Sequence, residues 1–248
     1  MNPTDGLLIA STLCFAAFVH TTAGFGSALF AMPVLSLLLG LSTAAPLQAM
    51  CSTVIGLYVL YHNWRGLHVR DAIWLLPATA CGIPVGVLLL SRCDPAVVLR
   101  LLGILLIGYA VYALLLAPRL RRQPESTGTT PLGRAGGLFA GFLSGVLGGA
   151  YNVDGPPLVV YGSVQRWPKA RFRSLLQTVF LFNSWLILGG HIAAGHVNAT
   201  VGWGFLAALP GVVAGILLGR WADRRLPADR FEQILLGLLL LLGLALMR

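Results

Sequence analysis

The sequence predicts an all-α integral membrane protein. It reads as two inverted-topology repeats, each a broken or re-entrant helical hairpin followed by three transmembrane helices. Three observations point there. Of 248 residues, 57% are hydrophobic and only 10% charged, whereas a soluble domain carries about 25% charged residues. Apolar runs of spanning length recur along the chain. Two of the apolar stretches are interrupted by glycine and polar residues where a membrane helix should be continuous. Leucine and alanine dominate and the runs do not alternate, which disfavours strands.

The first run, 6–22, follows "MNPTD". It lacks the basic n-region of a signal peptide and carries Asp5, so it is expected to stay as a membrane segment. The break "TTAGFG" comes next, then "SALFAMPVLSLLLG" at 27–40, which is short for a crossing. Full spans, each needing roughly 20 residues, are expected at 44–62, 71–91 and 96–117. Residues 118–134, polar and rich in Pro, Gly and Thr, read as a cytosolic linker. Residues 135–164 hold an apolar run, the break in "GGAYNVDGPPLVVY" and a second short run; spans at 172–193, 200–220 and 230–247 complete the chain. The organisation is thus a first repeat, 1–117, a linker, 118–134, and an inverted second repeat, 135–248, forming one membrane domain.

The basic residues decide the threading. If both broken segments return to the side they came from, those of 65–70, 119–134, 166–173 and 220–230 share one side. Only Arg92, Arg100 and Arg248 fall on the other. That asymmetry is the positive-inside pattern, and it puts both termini outside. Weak internal matches support duplication: "PATACGIPVG" at 77–86 with "PGVVAGILLG" at 210–219, Leu47-Gln48 with Leu176-Gln177, and Leu101-Leu102-Gly103 with Leu235-Leu236-Gly237. Each half crosses an odd number of times, so the second is upside down. Inverted repeats with discontinuous helices are the architecture of many secondary transporters, with sites at the interruptions near the midplane.

Irregular backbone at membrane depth persists only when buried in protein or lining a wet cavity. The breaks, His20 to Ser27 and Ala150 to Gly155, are expected to meet near the centre. Each starts a helix, and a helix N-terminus offers unpaired N–H groups and about half a positive charge. The expected contacts of a small anion are therefore His20, Thr21, Thr22, Gly24, Phe25, Gly26 and Ser27 in the first half, and Tyr151, Asn152, Asp154 and Gly155 in the second. Gln48 and Gln177 occupy matched positions and share helix faces with Ser52 and Ser184. Cavity lining and interhelical hydrogen bonding are the two readings for them, and Asn183 could do either. Asp154 is either an N-cap before Pro156 or a proton carrier that is neutral when the anion is bound. His20 either titrates or packs. Gly82/Gly86 and Gly215/Gly219 are GxxxG pairs that suit close helix packing.

Several classes are disfavoured. The net charge of +9 lies in short gaps between apolar runs, without the basic helix that nucleic-acid binding requires. Cys14, Cys51, Cys81 and Cys93 form no CxxC pair, which speaks against zinc or a disulfide framework. No cofactor, metal site, HExxH or P-loop is expected, and no nucleophile–base pair suggests an enzyme.

"GFGSALFAMPVLSLLLG" at 24–40 resembles the first-half signature of the TauE/SafE sulfite exporter family, and "GGAYNVDGPPLVVYG" at 148–162 the second-half signature of one branch. Asp154 stands where that branch often has asparagine. The resemblance implies transport of sulfite, a sulfonate or a related small anion across a bacterial inner membrane, with contacts at Gly24 to Ser27 and Tyr151 to Gly155. The expected partners are that anion, the bilayer, and a proton or counter-ion. A passive anion channel, or a carrier of another anion such as a carboxylate, is the alternative.

Overall fold

The computed structural model describes residues 3–63, 72–118, 131–167, 169–223, 225 and 228–247. Among them every regular element is a helix. The first half holds α1 (Pro3–Ala23), α2 (Ser27–Leu39), α3 (Leu41–Asn63), α4 (Leu76–Arg92) and α5 (Pro95–Val111), the last extended by a π-helical turn over Tyr112–Leu116. The second half holds α6 (Pro131–Tyr151), α7 (Gly155–Val164), α8 (Lys169–Ala193), α9 (Ala199–Asp223) and α10 (Ala228–Leu246). The expectations for Arg65, Arg70, Arg119, Arg121, Arg122, Arg224 and Arg248 lie outside the described residues.

The chain is an all-α integral membrane protein. Among the described residues four segments are long and apolar enough to cross: Asp5–Ala23, Pro95–Leu116, Ser174–Ala193 and Ala199–Ala222. Leu7, Phe139, Trp203, Leu217 and Leu241 are each more than half exposed, a surface that lipid rather than water covers. α2 and α7 have 13 and 10 residues. At a rise of 1.5 Å per residue they span about 20 and 15 Å, short of a hydrocarbon core of about 30 Å. Gly40, with φ 75°, reverses the chain in one residue between α2 and α3. The left-handed region it occupies favours glycine, so α3 starts at Leu41, earlier than the apolar run suggested.

The halves exchange partners. α1 packs most extensively against α9, and α4 against α6. These two contacts correspond when the halves are interchanged, as do the pairings of α3 with α8 and α5 with α10. Both exchanged contacts are glycine seams between parallel helices. A Cβ on Gly82 or Gly86 would strike the carbonyl of Phe142 or Val146, and one on Gly145 or Gly149 that of Thr79 or Ile83. In the other seam, Gly211 and Gly215 face the carbonyls of Ala10 and Cys14, and Gly219 meets Thr21. With no hydrophobic force between helices in lipid, close backbone approach supplies the attraction. The seams fix where α1 and α6 end, and so where both breaks lie.

The helix ends gather consistently. At one end Arg220 Nη1 donates to His62 Nε2 at 3.1 Å, joining the ends of α9 and α3. At the other, His196 joins the end of α4 through Ser91 (3.2 Å) and that of α8 through His191 Nδ1 (3.1 Å).

Gly86→Ala or Gly215→Ala forces a seam apart, and overpacking of this kind costs about 1–3 kcal/mol. Thermal melting in detergent is expected to show each variant unfolding earlier than wild type. Gly108→Ala, whose Cβ meets nothing within 4 Å, is expected to melt as wild type does.

Candidate functional site

Both helix interruptions open onto one cavity. Its wall is His20, Phe25, Gly26, Ser27, Ala28, Leu29, Ser52, Gly56, Asn152, Val153, Asp154, Gly155, Gln177, Phe180, Leu181 and Ser184. The space open to the centre of a water molecule is about 50 Å³, several times the roughly 10–15 Å³ that one water requires. A solute of a few heavy atoms fits. The breaks touch there: a Cβ on Gly155 would lie 3.5 Å from Phe25 Cδ2 and 3.5 Å from Phe180 Cζ.

The first break is shorter than the sequence suggested. α1 runs through Ala23, leaving Gly24 to Gly26 outside regular helix. Gly24 and Gly26 have φ 86° and 99°, conformations that a side chain disfavours. Thr21 and Thr22 therefore stay in the last turn of α1. Their hydroxyls donate to Ala17 O and Phe18 O, each at 2.8 Å, so neither threonine lines the cavity. Gly24 is also off the wall; its N–H donates to His20 O. α2 begins at Ser27, with Gly26 at its N-cap and no capping side chain. The first four N–H groups of a helix have no partner within it. Those of Ser27, Ala28 and Leu29 belong to residues on the wall.

The second break is Asn152 to Asp154. Tyr151 remains in α6 and is buried, and its Oη donates to Val98 O at 2.7 Å, which takes it off the cavity. Asn152 adopts the left-handed region at φ 58°, a conformation asparagine tolerates better than most residues. Its Nδ2 is buried with no hydrogen-bond partner. Asp154 holds the N-cap position of α7, but its side chain makes no capping bond. An N-cap side chain accepts from the N–H of N2 or N3. Here those positions are Pro156 and Pro157, which have no N–H. Asp154 Oδ2 instead accepts from Asn183 Nδ2 at 3.0 Å. The capping expectation fails for that reason, and Pro156 stands second in the helix rather than first.

Gln48 and Asn183 are fully buried behind the wall. Gln48 Nε2 donates to Ser27 Oγ (3.3 Å) and Ser52 Oγ (3.2 Å), and Asn183 reaches the cavity only through Asp154. The structure thus brings His20, Phe25, Gly26, Ser27, Asn152, Asp154, Gly155 and Gln177 together, and leaves Thr21, Thr22, Gly24, Tyr151, Gln48 and Asn183 off the wall. Phe180 and Leu181 were missed, although Phe180 lies one helical turn from Gln177. Gly56 likewise follows Ser52 by one turn.

Among the described residues no lysine or arginine lines the cavity. Its polar groups include the N–H groups at the start of α2, the hydroxyls of Ser27 and Ser52, the amides of Asn152 and Gln177, the His20 ring and the Asp154 carboxyl. The same wall carries the apolar side chains of Phe25, Leu29, Phe180 and Leu181. Uncharged donors converging beside an apolar wall suit a small anion with one greasy or lone-pair face.

Gly155→Ala would add its methyl at ordinary contact distance from two rings. The fold is expected to tolerate it, with an unchanged apo melting temperature. One methyl in a fitted pocket changes binding by about tenfold or more, so the affinity for small oxyanions read from a thermal-shift titration should fall by that order.

The family model described as sulfite exporter TauE/SafE matches residues 9–246. A relative from Cupriavidus necator, "Probable sulfite/organosulfonate exporter TauE", is 28% identical over 246 residues, covering 93% of this chain and 89% of its own. No solved structure matches the chain.

Proposed function

Because the chain belongs to the sulfite exporter TauE/SafE family, we propose that it is a secondary transporter exporting sulfite or a small organosulfonate across a bacterial inner membrane. Membership makes it a multi-pass membrane transporter rather than an enzyme. The observation that carries the finer reading is the cavity itself. Two helix interruptions, one from each half, line it, and its donors carry no formal charge. The anion binds at the N-terminus of α2, with Ser27, Ser52 and Asn152 as hydrogen-bond donors, near the bilayer midplane. The two halves lie inverted with both termini external. Each moves against the other, so that the site opens to one side at a time.

Asp154 adds a second element. Two negative groups in one small cavity repel each other, so the anion binds while Asp154 carries its proton. The prolines after it leave that carboxyl without a capping role, and Asn183 holds only Oδ2. Anion and proton then travel together.

Counterflow in proteoliposomes tests the carrier. Labelled sulfite uptake is expected to saturate and to accelerate with unlabelled sulfite on the opposite side. Ohmic currents without saturation would instead identify a passive channel. Methanesulfonate keeps one charge throughout the accessible pH range, so it isolates the protein's own titration. The binding form has Asp154 protonated; affinity should therefore fall as pH rises. Asp154→Asn should abolish that slope and proton co-movement while keeping the apo melting temperature. An unchanged slope in the variant rules out Asp154 as the coupling group.

A further inference from the structure

We propose that Gln48, which does not reach the cavity, is a positioning residue that turns the hydroxyl hydrogens of Ser27 and Ser52 toward the bound anion. This rests on the anion site just assigned. Ser27 is the first residue of α2, and Ser52 lies one turn after Gln48 on α3. Both line the cavity. The Gln48 side chain, fully buried, lies between them, with Nε2 at 3.3 Å from Ser27 Oγ and 3.2 Å from Ser52 Oγ.

An amide nitrogen has two hydrogens and no acceptor capacity. Both are spent on the serine oxygens, so each hydroxyl accepts from Gln48 and must direct its own hydrogen elsewhere. Hydroxyls inside helices commonly return that hydrogen to their own backbone. Thr53 does so to Ala49 O at 2.9 Å, Thr178 to Ser174 O at 2.9 Å, and Ser184 to Leu181 O at 2.8 Å. Among the described residues Ser27 and Ser52 make no such bond, and the cavity is the open direction. The opposite amide orientation would consume both hydroxyl hydrogens and strand two buried N–H donors. The observed one leaves a single acceptor, Oε1, unpaired, and is the less costly arrangement.

One neutral amide behind the wall thus occupies one lone pair of each hydroxyl and leaves each O–H free to donate into the cavity. Such a site favours a ligand rich in lone pairs over a ligand of the same shape that presents N–H groups. Methanesulfonate and methanesulfonamide form that pair.

The test is a double-mutant cycle in the full-length protein, read by thermal-shift affinity and by transport KM and turnover. Gln48→Met keeps the volume and removes the donor. It is expected to weaken methanesulfonate binding about tenfold, to raise KM by the same factor, to keep turnover and the apo melting temperature, and to narrow the preference over methanesulfonamide. Ser27→Ala/Ser52→Ala should lose as much, and the triple variant no more than the serine pair, because Gln48 acts through the serines. Wild-type affinity in Gln48→Met, losses that simply add, or a fall in turnover and melting temperature with KM unchanged would each overturn the proposal. If wild type responds to neither sulfite nor methanesulfonate, the anion site itself is wrong.

Discussion

A peptide group removed from a helix inside a lipid bilayer cannot be left to the lipid, because nothing there can hydrogen-bond it. The whole arrangement answers to that constraint. The chain leaves helical geometry at Gly24–Gly26 and Asn152–Asp154, and both places are enclosed by protein around one cavity. The glycine seams make the enclosure possible. They bring α1 onto α9 and α6 onto α4 at backbone contact, so that each half closes over the interruption of the other. Without that exchange the short helices α2 and α7 would end in hydrocarbon.

The two interruptions are related in the order of the chain but not in chemistry. The first presents amide hydrogens: α2 starts with Ser27, Ala28 and Leu29, uncapped by any side chain. The second starts Gly155-Pro156-Pro157, so two of its first three residues have no N–H to offer. What it contributes is a carboxyl at Asp154, held by Asn183, and the amide of Asn152. One half thus brings helix-terminal N–H groups to the cavity, and the other brings a carboxyl.

Much of this was legible in the sequence. Composition and run length gave the membrane class and the helices, because a span of lipid imposes a minimum apolar length. Gly24, Gly26 and the polar insertion at 152–154 marked the breaks, because they interrupt what lipid requires to be continuous. The family signature lies on those same residues. The failures have local causes. Thr21, Thr22 and Tyr151 were read as part of the breaks because they are polar. Each nevertheless has an acceptor within reach, the two threonines on their own helix and Tyr151 at the start of α5, so helix continues through them. Asp154 before proline looked like a cap; the second proline removes the group to be capped. Gln48 was legible as a matched polar position but not as a residue behind the wall, since helical periodicity fixes a face and not a depth. Phe180 carries no polar signal in the sequence, and its place on the cavity wall shows only in the fold.

The central claim is that the start of α2 holds the transported anion. A crystal structure with selenite, a pyramidal oxyanion like sulfite, measured at the selenium edge, tests it most directly. One anomalous peak is expected inside the membrane region, within hydrogen-bonding reach of Ser27, Ser52 and Asn152. A peak bound elsewhere on the protein, with the cavity holding only water, would contradict it.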